Sequence, residues 1–105
     1  MNVIWQKSPS KNKMTWNDAI AYCQNLVLDG IENWRVPSYK ELYYLADRTK
    51  YAPAIEHYFN LETSSWYWSN TAYKIDISQA WIVNFNNGYD KHRDKSYTYL
   101  VRCVQ

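Results

Sequence analysis

The fold is decided by residues 34–42, whose sequence is WRVPSYKEL. The residue before a proline is pushed out of the helical region, so residues 34–37 are expected to form a short extended piece. Ser38 and Glu41 then have the spacing of a capping box, in which each side chain accepts a hydrogen bond from the backbone N–H of the other. The segment therefore predicts an extended piece followed directly by a helix through Ala46.

A longer helix is predicted before this segment. Thr15 is a natural N-cap residue, and Asp18 is placed three residues on for a second capping box. Apolar side chains then recur at helical spacing and define one face of the helix. The residues of this face are Trp16, Ala19, Ile20, Cys23, Leu26 and Val27. Asp29-Gly30 is expected to end the helix, because glycine readily takes the left-handed conformation that follows one.

The strand-like segments lie mostly in the second half of the chain, where β-prone side chains alternate between two faces. Residues 50–65 show no clear period and are expected to be mostly loop, and Asn86-Asn87-Gly88 has the composition of a tight turn. Strands are expected at residues 3–5, 66–70, 80–85 and 97–104. This order predicts an α+β fold in which two helices pack on a twisted antiparallel sheet.

Length and charge limit the classes of protein to which the chain can belong. Its 105 residues make one domain, 1–105. The 12 basic and 10 acidic residues are too balanced for a nucleic-acid partner by charge alone. No apolar run approaches the ~20 residues of a membrane span, so no membrane insertion is expected. Met1 directly precedes a strand-like segment without a signal peptide, which suggests a domain cut from a longer exported protein.

The two cysteines, Cys23 and Cys103, are far apart in the sequence and have no CxxC spacing or nearby histidine, which argues against zinc. Two buried thiols are one reading. A disulfide that ties the last strand to the first helix is the other, and we favour it. In the chain-entropy model, closing a loop of ~80 residues stabilises the fold by about 4–5 kcal/mol.

An ordered series of short motifs runs along the chain. It consists of MTWNDA at 14–19, YC at 22–23, WRVPS at 34–38 with EL at 41–42, WS at 68–69, AWIVNF at 80–85, Gly88 and VRCV at 101–104. In this series the chain resembles the Lcl C-terminal-domain family, named for the C-terminal domain of a collagen-like bacterial surface adhesin. The resemblance runs nearly end to end, and the W-R-x-P-[ST]-x-x-E-L block is its most specific part.

The resemblance implies a C-type-lectin-like fold of the kind shared with formylglycine-generating enzymes. In that fold a helix cysteine commonly bridges to one in the final strand, in agreement with the pairing favoured above. The resemblance also implies an exported bacterial protein, secreted, periplasmic or on the cell surface, with a role in adhesion.

The chain departs from calcium-dependent lectins in two ways. It lacks their Glu-Pro-Asn or Gln-Pro-Asp triplet, and its Trp16-Asn17-Asp18 motif falls in the first turn of a predicted helix, where the polar residues serve capping. Calcium-dependent sugar binding is therefore not expected, and no cofactor is assigned. Loop oxygens at Asp76, Asn86 and Asp90 leave calcium binding open.

Nothing in the sequence favours an enzyme. The two histidines, His57 and His92, belong to no metal motif, and Ser64-Ser65 lacks the glycine frame of a nucleophile elbow. The paired active-site cysteines of the formylglycine-generating enzymes have no counterpart here. A non-catalytic domain is therefore expected.

The candidate ligand site is the basic segment 91–95, expected on an exposed loop after the Asn-Asn-Gly turn. Lys91, Arg93 and Lys95 with titratable His92 suit sulfate, carboxylate or phosphate groups. The alternative is solvated surface, since neighbouring aspartates dilute the charge.

Aromatic side chains are the second candidate, because sugar rings stack on exposed ones. Trp68 and Trp81 are expected in the core, whereas Tyr67, Tyr73 and Tyr89 are candidates for an exposed platform. The sequence thus predicts a module that binds a glycan or polyanionic surface polymer. The alternative is a protein–protein or homo-oligomerisation module of a cell-envelope protein.

Overall fold

The structure is a computed structural model of the chain, and it describes residues 4–6, 8–45, 66–85 and 88–105. Within these residues the elements are α1 (Trp16–Asn25), α2 (Tyr39–Leu45), β1 (Trp66–Ala72), β2 (Gln79–Asn84) and β3 (Asp90–Asp94). The α+β class and the antiparallel sheet are confirmed. The predicted loop at 50–65, together with Val3, Ala46, Asn86 and Asn87, lies outside the described residues.

Helix α1 begins where the sequence predicts. Thr15 has extended backbone angles, and its side chain accepts a hydrogen bond from the Asp18 backbone N–H at 3.4 Å. Ala19 and Cys23 are fully buried. Three more residues of the predicted apolar face are partly buried and pack against the same core, namely Trp16, Ile20 and Leu26. The apolar face is confirmed except at Val27, which is exposed.

Helix α1 ends earlier than predicted, at Asn25. Leu28 and Ile31 exchange two backbone hydrogen bonds of 3.1 and 2.8 Å. Between them, Asp29 and Gly30 have φ angles of 49° and 76°. Two successive residues with positive φ inside such a pair form the type I′ turn, for which Asp-Gly is favoured. Asp29-Gly30 therefore closes a tight hairpin beyond the helix and does not end the helix itself.

Helix α2 begins with the predicted capping box. The Glu41 backbone N–H donates to Ser38 Oγ at 3.2 Å, and the Ser38 N–H donates to Glu41 Oε1 at 2.8 Å. Arg35 donates two further hydrogen bonds to the same carboxylate, at 2.6 and 2.8 Å. The Arg35 hydrogen bonds are the largest cause that lowers the pKa of Glu41 to about 2. This ion pair ties the extended piece at 34–37 to the first turn of the helix.

Strand β2 lies in the middle of the sheet and is antiparallel to both neighbours. Strand β3 differs from the prediction, which placed residues 91–95 on a loop. Residues 90–94 pair with β2 from Val83 to Gln79, with Trp81 opposite His92. The prediction was wrong because DKHRD has no apolar alternation, and its hydrogen bonds come from a neighbouring strand that its own pattern does not reveal.

Residues 97–104, predicted as a strand, form no regular one. Their isolated backbone bridges run, in chain order, from Tyr99 to Met14, from Leu100 to Tyr67, and from Val104 to Trp5 and Arg35. Because the partners come from separate segments, no continuous ladder forms. Residues 100–104 are all buried. The extended segment at 97–104, here called the central thread, therefore has hydrophobic core on both sides.

Two hydrophobic cores lie on opposite faces of the sheet. The first contains the buried side chains Ala19, Cys23, Trp34, Val36, Trp68, Ala80, Ile82, Val101 and Cys103. The second contains Leu42, Tyr67, Val83, Phe85 and Leu100. Helix α1 thus covers one face, here called the α1 face, and α2 covers the other, the α2 face. Successive strand residues point to opposite faces, which is why neighbouring aromatics of β1 are buried in different cores.

The Cys23–Cys103 disulfide is present in the first core, with a Cα–Cα distance of 5.6 Å. Both cysteines are fully buried. The bond connects α1 to the central thread, and it confirms the prediction that the two cysteines form a disulfide.

Candidate binding surfaces

Strand β3 divides the predicted site residues between the two faces of the sheet. Side chains alternate along a strand, so Lys91 and Arg93 lie on the α1 face and His92 lies on the α2 face. Lys95 continues the α1-face series beyond β3, since its N–H donates to Ser78 O at 2.9 Å and extends the β2–β3 ladder. The structure therefore replaces one predicted loop site with two surfaces.

The first surface is the cationic row, formed by Lys91, Arg93 and Lys95. Two of its ammonium groups lie over indole rings. Lys91 Nζ is 4.9 Å from the ring centroid of Trp66, and Lys95 Nζ is 4.0 Å from that of Trp16. Such contacts hold a cation in place by electrostatic attraction to the ring face. Alternate residues on a strand are about 6.6–6.8 Å apart, so the three side chains of the row leave the backbone at a regular interval.

Arg93, in the middle of the row, is held by its own strand. Its Nη1 donates to the carbonyl of His92 at 2.8 Å. Its charge also reaches Tyr99: burial raises the pKa of that phenol, and the positive charge of Arg93 opposes the increase. The guanidinium therefore lies near Tyr99, a partly buried residue that packs against the first core.

The second surface is the aromatic cluster on the α2 face, formed by Tyr39, Tyr43, Tyr73, Trp81 and His92. The Tyr73 and His92 rings are stacked, with centroids 3.8 Å apart and planes within 5°. Both rings meet Trp81 nearly at right angles, at centroid distances of 5.6 and 5.2 Å. Tyr39 lies 5.2 Å from Trp81 and 5.6 Å from Tyr43.

Hydrogen bonds orient the polar groups of this cluster. Gln79 Nε2 donates to the Asp76 carboxylate at 3.2 Å, and Gln79 Oε1 lies 2.6 Å from His92 Nδ1. A carbonyl oxygen only accepts, so Nδ1 carries a proton and Nε2 is the acceptor of the neutral ring. The Tyr39 hydroxyl donates to the carboxylate of Asp90.

The acidic side chains near the cluster are also engaged. Hydrogen bonds from the Ser78 side chain and backbone are the main causes that lower the pKa of Asp76. Hydrogen bonds from Ser96 likewise lower the pKa of Asp94. Across residues 4–6, 8–45, 66–85 and 88–105, no group of three or more His, Cys, Asp or Glu side chains could hold a metal ion.

Two aromatic predictions were wrong. Tyr67, proposed as a ligand contact, has an exposed fraction of 0% and lies in the second core. Trp81, expected in the core, is partly exposed and belongs to the aromatic cluster. Both errors have one cause: a helix covers each face of the sheet, so the core side of a strand cannot be chosen from alternation alone. Trp68 is buried, as predicted.

The other predicted residues are accessible, but they do not form one site. Tyr89 is 67% exposed just before β3, and Tyr73 is stacked on His92 in the cluster. His57, Ser64 and Ser65 lie outside the described residues. The sequence reasoning missed Tyr39, Tyr43 and Gln79. The spacing of four residues between the two tyrosines, which places them on one side of α2, was the available signal.

Comparison with known proteins gives the family. A model of the Lcl C-terminal domain matches the chain over residues 1–105. No curated protein matches it.

In the described part of the chain, neither helix is long and apolar enough to cross a bilayer. The family match and the Cys23–Cys103 disulfide together indicate an adhesin-like domain of an extracellular protein, since disulfides persist in oxidising compartments. Because the match spans residues 1–105, the chain belongs to the Lcl C-terminal domain family.

Proposed function

We propose that this domain is a non-catalytic recognition module of an exported bacterial surface protein, and that it binds a polyanionic glycan or surface polymer through the cationic row. One observation carries the proposal: Lys91, Arg93 and Lys95 alternate along one continuous ladder, which places all three on the same face of the sheet. A repeating anionic polymer can meet such a row with several of its groups at once.

The indole contacts strengthen this proposal. A free lysine side chain loses much rotamer freedom when it binds a partner. Trp16 and Trp66 already restrict two of the row's ammonium groups. Trp16 is itself fixed, since its Nε1 donates to Ser69 O at 2.9 Å. A partly ordered row has less entropy to lose on binding, which favours recognition over a merely solvated surface.

The test is binding to dextran sulfate, with unsulfated dextran as the reference polymer. We expect the triple variant Lys91→Gln, Arg93→Gln, Lys95→Gln to bind about 10- to 100-fold more weakly, since each exposed charge contact contributes about 0.5–1 kcal/mol. The control variant combines Lys11→Gln with Lys40→Glu, two exposed lysines outside the row, and changes the net charge by the same amount. An equal loss in both variants, or no loss in the triple variant, would show that the row is not the site.

A protein–protein or homo-oligomerisation role is the second candidate. Tyr89 and Tyr97, 67% and 52% exposed, lie at the two ends of the segment that carries the row. Exposed tyrosines favour interfaces because they combine large contact area with little entropy to lose. Salt separates the two roles, since binding to a polyanion weakens steeply as salt rises and an aromatic interface does not. Light scattering at low and high salt measures self-association directly.

The C-type-lectin-like fold is likewise a proposal for this chain. It is supported by the disulfide from the first helix to the last segment and by the meeting of the two chain ends, where Trp5 bridges to Val104. A crystal structure compared with known C-type-lectin-like domains tests it.

A further inference from the structure

The aromatic cluster continues along α2 as an unbroken series of rings. Tyr44 meets Tyr43 at 5.5 Å, Tyr43 meets Tyr39 at 5.6 Å, and Tyr39 leads on to Trp81 at 5.2 Å. Tyr44 is 79% exposed, and the other rings are all partly exposed. A contiguous series of aromatic rings that solvent reaches is typical of a binding surface.

Most of these rings lie outside the second core. Within the described residues, the buried side chains of this core are Leu42, Tyr67, Val83, Phe85 and Leu100, and Tyr39 is the ring of the cluster that packs against them. The cluster lies beside this core, at the end of the α2 face near the β1–β2 turn. Tyr39 and its contact with Trp81 help to hold α2 on the sheet, whereas Tyr43, Tyr44 and Tyr73 extend beyond the second core.

The charge on this face is opposite to that of the cationic row. Asp90 and Asp94 share the α2 face of β3 with His92. Asp76 lies close enough for its charge to act on both His92 and Asp94. A polyanion would meet three carboxylates here, so the ligand of the row does not suit this surface.

The polar atoms around the rings are held in fixed positions and mostly accept hydrogen bonds. Asp90 accepts from the Tyr39 hydroxyl, and the Gln79 contact leaves His92 Nε2 as an acceptor in the neutral ring. A ligand suited to this surface presents flat C–H faces to the rings and hydroxyl donors at its rim. Aromatic walls with a few oriented polar groups are the usual composition of a small-molecule site.

We propose that the aromatic cluster, extended by Tyr44, is a second binding surface, and that it takes an uncharged oligosaccharide by stacking one sugar ring on Tyr43 and Tyr44 and another on Trp81 and Tyr73. The carboxylate of Asp90 and Nε2 of His92 accept hydrogen bonds from sugar hydroxyls. The surface is independent of the cationic row, because the two lie on opposite faces of the sheet. The domain thus has one face for charge and one for neutral sugar.

The test is NMR titration with neutral cello-, chito-, malto- and manno-oligosaccharides. We expect at least one of them to shift the His92 ring protons and the Trp81 indole signal, with an affinity that is unchanged between about 50 and about 500 mM NaCl. The double variant Tyr44→Ser, Tyr73→Ser should bind at least about fivefold more weakly. The matched control is Tyr89→Ser, Tyr97→Ser, which removes two exposed tyrosines elsewhere and should bind like the parent.

The outcomes separate this proposal from the preceding one. If no neutral oligosaccharide shifts the His92 and Trp81 signals, the second surface is disproved, whatever dextran sulfate does. If the Lys91→Gln, Arg93→Gln, Lys95→Gln variant loses neutral-sugar binding, the two surfaces are not independent and the proposal also fails. Retained sugar binding in that variant, with loss in Tyr44→Ser, Tyr73→Ser, supports it. A Tyr44→Ser single variant, altered at a highly exposed position, guards against a folding defect at Tyr73.

Discussion

The two faces of the sheet differ in how they are held and in what they present to solvent. Among the described residues, the α1 face has the larger core, and it also has the Cys23–Cys103 disulfide and, at its rim, the cationic row. The α2 face has a smaller core under a seven-residue helix, and beside it lies the aromatic cluster with acidic neighbours. The comparison shows how one thin sheet supports two chemically opposite surfaces: a single strand supplies cations to one face and His92 with two aspartates to the other.

The largest expected effect comes from breaking the α1 face at its disulfide. The Cys23→Ala, Cys103→Ala variant should lose about 4 kcal/mol of unfolding free energy, because the bond closes a loop across 80 positions of sequence separation. Urea unfolding followed by tryptophan fluorescence measures the loss. Adding a reductant should destabilise the parent by a similar amount and leave the variant unchanged. Equal stability of parent and variant would mean that the α1 face does not depend on this bond.

A smaller effect is expected on the α2 face, where Glu41 anchors the helix. The folded-state pKa of Glu41, about 2, lies below the ordinary value of 4.5, chiefly because of the hydrogen bonds from Arg35. The resulting stability is therefore fully present above pH 4.5 and is lost as the pH falls towards 2. Since Arg35 is 45% exposed, solvent screening limits the contribution to about 1–2 kcal/mol.

Urea unfolding of the parent and of Glu41→Gln at a series of pH values tests this expectation. The variant should be less stable at neutral pH, and the two curves should converge in acid as the parent carboxylate is protonated. A gap that stays constant from neutral pH to about pH 2.5 would rule out the ion pair as its cause. Lys40→Gln, an exposed change on the same helix, is the control.

The smallest effect is expected within the cationic row, where the indole contacts of Lys91 and Lys95 differ. Lys95 Nζ lies closer to its indole than Lys91 Nζ does, at 4.0 against 4.9 Å. Lys95→Gln should therefore lower the free energy of unfolding by about 0.5–1 kcal/mol, and Lys91→Gln should lower it by less. Double-mutant cycles with Trp16→Leu and Trp66→Leu isolate each contact. Coupling that is stronger for Lys91 than for Lys95 would contradict the order given by the distances.

The sequence predicted the parts of the fold that depend on local signals. Thr15 as N-cap and the Ser38–Glu41 capping box both depend on neighbours within one turn, and both were correct. The disulfide was favoured because the two cysteines lack the spacing of a zinc site, and because Cys23 on the amphipathic helix and Cys103 in the last strand can face one core. These features could be read without knowledge of the tertiary structure.

The remaining features depend on partners that are distant in the sequence. Tyr67 and Trp68 are both fully buried because a helix covers each face, which alternation along one strand does not reveal. Strand β3 can be recognised only from its pairing with β2, and the central thread at 97–104 forms backbone bridges to several separate segments. The prediction of the binding site was the least accurate, because the segment expected to be a loop is a strand whose side chains point to opposite faces of the sheet.

The position of β3 at the end of the strand order has a consequence for crowding. Its ladder to β2 uses the backbone of Lys91 and Arg93, so the N–H and C=O groups of Asp90, His92 and Asp94 point outward. If two copies paired antiparallel along this edge, outward residues would lie opposite outward residues. Lys91 and Arg93 would then lie opposite lysine or arginine of the other copy. Like charges directly opposite one another are destabilising. Densely packed copies should therefore not join their sheets edge to edge into fibres.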